Sequence, residues 1–181
     1  MAYCPIDIAK YSFCNGDMLL FDANVWLRIH GPNKPGDWKV AVYSSAYAQI
    51  LLANAKIIVE VLVLSEFVNR YARLRHDLAK ADPRVPSDFK AFRNSAHFAP
   101  IAQDIAADLK KIVGGCARVD TPLESMDVAT LIGEYEKGQS DFNDLVLADL
   151  CKARNLKLVT HDSDFKGLDL TVITANKALL T

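Results

Sequence analysis

Two carboxylates stand at the ends of short apolar runs in this chain, where a buried strand would be expected to finish. Asp22 closes "MLLFD" and Asp162 closes "LKLVTHD". Ligands of open parallel sheets collect at the carboxyl ends of the strands, so one kind of position is marked twice by the same chemistry. Either aspartate alone reads as readily as a turn or cap residue. Glu66 adds a third acid, early on the helix expected after "IIVEVL". At about 3.6 residues per turn it shares a face with Asn69, Arg70 and Arg73, while Phe67, Tyr71, Leu74 and Leu78 share the other. The plainer account of the polar face is an exposed Glu–Arg pair four residues apart. Asp141 and Asp144 open the strongly helical segment "SDFNDLVLADLCKARN", where the helix dipole favours acids in any case. Asp164 follows Asp162 by two residues, close enough to serve the same site if the turn folds back.

Several carboxylates gathered in one cleft repel and raise one another's pKa values. A hard divalent cation relieves that conflict, and magnesium in particular takes one or two protein carboxylates, several waters and substrate phosphate oxygens. Such an ion activates water and offsets charge on a leaving oxygen in phosphodiester hydrolysis.

The elements that must position these acids follow from the apolar pattern. "MLLFDAN" reads as a buried strand with a turn after it, and Pro32, Pro35 and Gly36 make a loop. Helical spacing runs from Trp38 to Ala55, and the following segment changes from strand to helix near Leu64. Two prolines break the pattern in "AKADPRVPSDFKAF", a short helix can be capped at Ser87-Asp88, and another runs from Pro100 to Val113 with Gly114-Gly115 ending it. "CARVDTP" looks like a short strand, "PLESMDVATLIGEYEKG" a helix, and "LKLVTHD" and "LTVITAN" the last two strands. Alternating strands and helices predict an α/β fold of three layers, α/β/α, around a mostly parallel central sheet.

With 181 residues, 51% of them hydrophobic and 24% charged, the chain is sized for a single domain with a self-sufficient core. It is too apolar for a disordered chain, and no run approaches the ~20 residues that span a bilayer. The first residues lack a basic segment followed by an apolar one, so a cytoplasmic protein with no membrane contact is expected. The four cysteines form no C-x-x-C pair and the four histidines do not sit at ligand spacings beside them, which argues against zinc and for reduced, partly buried thiols. The net charge of −1 is unevenly spread: nine Lys/Arg face five Asp/Glu between Arg70 and Lys111, and five face eleven between Asp120 and Asp169. A basic arm of this kind suits an anionic partner, although a solvated mixed face is the simpler reading.

The order Asp22, Glu66, Asp144, Asp162 resembles the acidic quartet of PIN-domain ribonucleases, including the VapC-like toxins of type II toxin–antitoxin pairs. The segments that carry the resemblance are "FDANVWL", "VLSEFVNR" and "FNDLVLADLCKARNLKLVTHDSDF", the last with Thr160, Asp162 and Phe165 in a Thr-x-Asp-x-x-Phe pattern. The match covers about residues 18–75 and 117–175, and the intervening segment, about 76–116, is expected to be a helical insertion. The resemblance implies a metal-dependent endoribonuclease, with Asp22, Asp144 and Asp162 ligating Mg2+ or Mn2+ and Glu66 completing the catalytic pocket. It implies Asn24 and Thr160 as supports and Asp141 and Asp164 as auxiliary acids, while Arg70 and Arg73 are candidate RNA contacts. It also implies an RNA substrate, a 5′-phosphate product, an antitoxin protein as partner and a homodimer. An RNA-processing nuclease that is not a toxin, and a noncatalytic RNA- or partner-binding module, keep the same fold. An aspartyl-phosphate phosphatase also begins with an apolar strand ending in Asp, but wants a second acid where this chain has Asn24.

Overall fold

The computed structural model describes residues 3–181. Six strands, β1 (Cys4–Asp7), β2 (Met18–Phe21), β3 (Lys56–Val59), β4 (Ala117–Arg118), β5 (Lys157–Val159) and β6 (Thr171–Thr174), form one sheet in the order β1-β6-β5-β2-β3-β4. Among the described residues the five pairings are all parallel. Helices α1 (Ala23–His30), α2 (Trp38–Leu52), α3 (Val61–Ala79), α4 (Phe89–Arg93), α5 (Phe98–Gly115), α6 (Val128–Tyr135) and α7 (Phe142–Arg154) cover it, giving the expected three layers. Parallel strands are buried on both faces and therefore read as unbroken apolar runs. Leu19, Leu20, Phe21, Ile58, Val59, Leu158, Val159, Val172 and Ile173 are all at most 2% exposed.

From β2 the chain winds through β3 to β4 on one side and returns through β5 to β6 on the other, where β6 lies beside the first strand, β1, at the sheet edge. The winding direction reverses between β2 and β5, and a crevice opens at the carboxyl ends of strands at such a reversal. Leu20 pairs with Leu158 and Phe21 with Val159, and the Asp22 N–H extends the ladder by one more bond, 3.0 Å to the Val159 carbonyl. At the opposite end of the same two strands, buried Asp17 is paired with Lys157 and accepts from the Tyr11 hydroxyl at 2.8 Å.

The structure departs from the sequence reading in several elements. β1 was not anticipated; its Pro5 removes a ladder donor, which a strand tolerates at the sheet edge. α1 starts directly after Asp22 where a turn was expected, because the extended Asp22 backbone serves as N-cap and its carbonyl accepts from Val25 and Trp26. α3 begins at Val61, earlier than Leu64, since Glu60 ends the strand and caps the helix through the Leu62 N–H. Its inward face continues through Tyr71, Ala72 and His76, leaving Leu74 and Leu78 42% and 61% exposed. His76 turns inward because its ring stacks on fully buried Phe92 at 4.5 Å and its Nε2 meets the Pro86 carbonyl at 2.8 Å. Gly114 and Gly115 lie inside the last turn of α5, and "PLESMDVATLIGEYEKG" folds as a short 3-10 turn followed by α6. Cys4 and Cys14 are exposed and Cys151 is buried. Among the described residues no helix is long and apolar enough to cross a membrane.

Candidate functional site

Asp22 is held from both sides, by the sheet through its N–H and by the first turn of α1 through its carbonyl. Its carboxylate does not cap α1. It turns into the crevice, 3% exposed, and accepts from the Thr160 hydroxyl at 2.6 Å and from the Asn24 amide. Asn24 bridges the crevice: its Nδ2 also reaches Thr160 Oγ1 at 3.1 Å, and its Oδ1 accepts the His161 N–H at 3.0 Å. Thr160 Oγ1 accepts in turn from the Asp162 N–H at 3.0 Å. The loops after β2 and β5 are thereby laced into one frame, in which Asn24 and Thr160 both touch the Asp22 carboxylate.

Around this frame the other acids arrive on helices. Glu66 is one turn into α3, half-buried, and bound to Arg70 Nη1 at 2.7 Å. Asp144 is in the first turn of α7, where Asp141 occupies the N-cap position without a side-chain cap bond. Asp162 opens the 3-10 turn Ser163–Phe165 and accepts from the Asp164 N–H at 3.2 Å, while Phe165 anchors that turn as a fully buried ring.

Electrostatics join the four acids. Burial pushes the Asp22 carboxyl up to about 6, the charges of Glu66 and Asp162 add to the rise, and the Thr160 hydrogen bond opposes it. Burial, followed by Asp22, Asp162, Glu66 and Asp141, pushes Asp144 up to about 8. Arg70 feels the same cluster: burial works to lower its pKa, but the hydrogen bond and charge of Glu66, with the charges of Asp22 and Asp162, raise it on balance. As placed, the acids do not form a closed shell: among the described residues no three His, Cys, Asp or Glu side chains are gathered tightly enough to hold a metal ion. The donor chemistry nonetheless suits a hard cation, since these are oxygen ligands kept from ionising together by their own repulsion.

The remaining expected residues divide. Asp141 and Asp164 line a hollow together with Tyr135, Gln139 and Ser140 that Asp22 does not line. Arg70 and Arg73 line a groove of about 530 Å3 together with Asn24, Leu27, Arg28, Lys34, Asp37, Leu74 and Asp77. Arg73 rests over the Phe89 ring, 4.5 Å from its centroid. Sequence reasoning missed Arg28, Tyr43 and His161. Arg28 lies one helical turn beyond Asn24, a signal hidden by reading α1 as a turn. Tyr43 approaches from α2, its hydroxyl 2.9 Å from His161 Nδ1 and 3.2 Å from the Thr160 carbonyl, contacts that span more than a hundred residues.

A family model described as PIN domain matches residues 19–170. No curated protein matches the sequence. Among solved structures, the chain is similar to VapBC2 from Rickettsia felis bound to a DNA fragment from their promoter, with 17% identity, 87% of this chain and 98% of that chain covered, and a TM-score of 0.53. It is also similar to PAE2754 from Pyrobaculum aerophilum, with 16% identity, coverage of 91% and 93%, and a TM-score of 0.47. At these identities the likeness is one of fold.

Proposed function

The chain belongs to the PIN domain family, and from that premise we propose that it is a cytoplasmic, metal-dependent endoribonuclease acting as the toxin of a toxin–antitoxin pair. In this reading residues 1–181 are one domain, with the helices of 76–116 as an insertion. The observation that supports it most is the mutual charge coupling of Asp22, Glu66, Asp144 and Asp162 at the crevice between β2 and β5. Asp22, Asp144 and Asp162 would hold magnesium or manganese, and Glu66 would complete the acidic pocket. When bound, the cation supplies Lewis acidity toward a phosphoryl oxygen and makes water easier to deprotonate.

The chain's own groups do the rest. Thr160 donates to Asp22 Oδ2 and Asn24 steadies both, so the most buried acid is held in one orientation. Arg70 fixes Glu66, and Arg28, Lys34 and Arg73 offer charge to the phosphates of a strand lying in the groove. Asp144, raised to about 8, keeps a proton on its carboxyl near neutral pH while no cation is bound. The antitoxin and homodimer belong to the same proposal; the neighbour crystallised as VapBC2 agrees with a toxin-like scaffold.

The test is cleavage of a panel of structured RNAs by purified protein, with magnesium or manganese and with chelator, beside Asp22→Asn and Asp144→Asn. Metal-dependent cuts leaving 5′-phosphates are expected from the wild type and none from the variants. A wild type that cuts nothing, or variants that cut equally well, would refute the assignment. Growth arrest on expression, relieved by a small co-expressed protein, tests the toxin role separately, and sedimentation tests the dimer.

A further inference from the structure

Trp38, like Tyr135 on α6, stays outside the core that takes in most of the chain's large rings. It is the first residue of α2 and 55% exposed, whereas Trp26 and Tyr43 are at most 1% exposed. Its ring is nevertheless placed, meeting the His161 imidazole edge-on with centroids 5.9 Å apart and planes at 66°. His161 is itself fixed on three sides: Tyr43 holds Nδ1, the Asn24 Oδ1 accepts its N–H, and Asn176 Nδ2 donates to its carbonyl at 2.9 Å. An exposed indole thus stands on a fixed imidazole one residue before Asp162. After its own burial, the imidazole feels most strongly the positive charges of Lys39 and Arg28, and Arg28 also lines the groove that holds Arg70 and Arg73.

We propose that Trp38 and His161 form a stacking step for one unpaired base of an RNA strand whose backbone passes Lys39 and Arg28 into the groove beside Arg70 and Arg73. The proposal rests on the nuclease reading for the identity of the ligand and makes the substrate single-stranded at this point. Bases inside a duplex already stack on each other and cannot offer a face to the indole, whereas splayed bases stack on aromatic side chains flanked by cations. A protein partner is disfavoured by the surroundings. Asp37 and Lys39 flank the ring, and the other large exposed apolar side chains of α2, Leu51 and Leu52, lie at its far end, roughly 20 Å away along the helix. One ring is far below the ~800 Å2 per partner of a stable protein interface.

The test uses the full chain in chelator, so that binding is read without turnover. A labelled single-stranded RNA decamer and the same sequence as a perfect duplex are titrated with wild type, Trp38→Ala and Trp38→Phe. Trp38→Ala is expected to weaken single-strand binding about 5- to 150-fold, the range of one base–aromatic stack. Duplex binding should be unchanged, and Trp38→Phe should stay near wild type. Because Trp26 is buried, wild-type indole fluorescence should be quenched by the single strand and hardly by the duplex. Wild-type affinity of Trp38→Ala for the single strand, an equal loss on both ligands, or a loss of self-association with RNA binding intact would each overturn the proposal. Trp38-dependent binding by a protein that cleaves nothing with metal would uphold the stack and sink the nuclease. Cleavage with an unchanged KM in Trp38→Ala would do the reverse.

Discussion

Asn24 uses both ends of one amide to tie the loop after β2 to the loop after β5, and it is the residue whose loss should separate positioning from folding. It is half-buried at the edge of the core, so Asn24→Ala should leave thermal stability within a few degrees of wild type. Magnesium affinity, read by calorimetry, should fall about 10- to 100-fold, as is usual when a support of a ligand is removed. A variant that binds magnesium as tightly as wild type would deny Asn24 that role. The raised carboxyls of Asp22 and Asp144 make a second prediction. In the metal-free protein the folded chain retains protons on these groups that the unfolded chain has already lost. Their contribution to stability is complete below about pH 4 and disappears as pH rises through about 6 and about 8. In chelator, wild type should therefore lose Tm relative to Asp144→Asn between pH 5 and 8.5, and at the upper end the variant should be the more stable by a few degrees. Added magnesium should reverse that order, because it binds only the folded wild-type cluster well. A difference independent of pH would mean that the acids do not interact as described.

At the scale of elements, Tyr43 on α2 shows how the frame is braced from behind. Its hydroxyl serves the Thr160 carbonyl, His161 Nδ1 and the Ala175 N–H at once. Tyr43→Phe keeps the ring and should cost about 1–2 kcal/mol in urea unfolding, with a larger loss in single-strand affinity than the fold alone explains. No change in the urea midpoint would mean that the hydroxyl is not needed there. None of these contacts was legible in the sequence, because they join residues more than a hundred positions apart and leave no periodic signal. The acids themselves were legible, Asp22 and Asp162 because each closes an apolar run, Glu66 and Asp144 because each lies early on a strongly patterned helix; their order as a quartet came from the resemblance. β1 was hidden by its length and its proline, and α1 by an Asp-Ala-Asn that serves as cap rather than turn. The inner face of α3 was half legible: periodicity marked Phe67 and Tyr71, but only the packing of α4 explains why His76 goes in and Leu78 stays out.

Across the whole molecule, the basic arm read from composition is partly neutralised in place. Arg75 pairs with Asp104, Lys80 with Asp77, Arg84 with Asp82 and Lys111 with Asp108. In the groove Arg28 is itself bound to Asp37 and Arg70 to Glu66, so the charge offered to a strand there is that of Lys34 and Arg73 together with the free edges of the two paired guanidiniums. RNA affinity should accordingly fall with salt on a log–log slope of about −2 to −3, at about −0.7 per phosphate contacted. Arg73→Ala should flatten that slope by about 0.7, and Arg84→Ala should leave it alone. Equal effects of the two would place the strand elsewhere.

The buried pairing of Asp17 with Lys157 fastens β2 to β5 at the end away from the acids. Attraction at one end of these strands and repulsion at the other grade the ladder along its length. Amide hydrogen exchange should register that gradient: protection high at Leu19 and Leu158, and lowest at Asp22 and Asp162 until the negative charges between them are balanced.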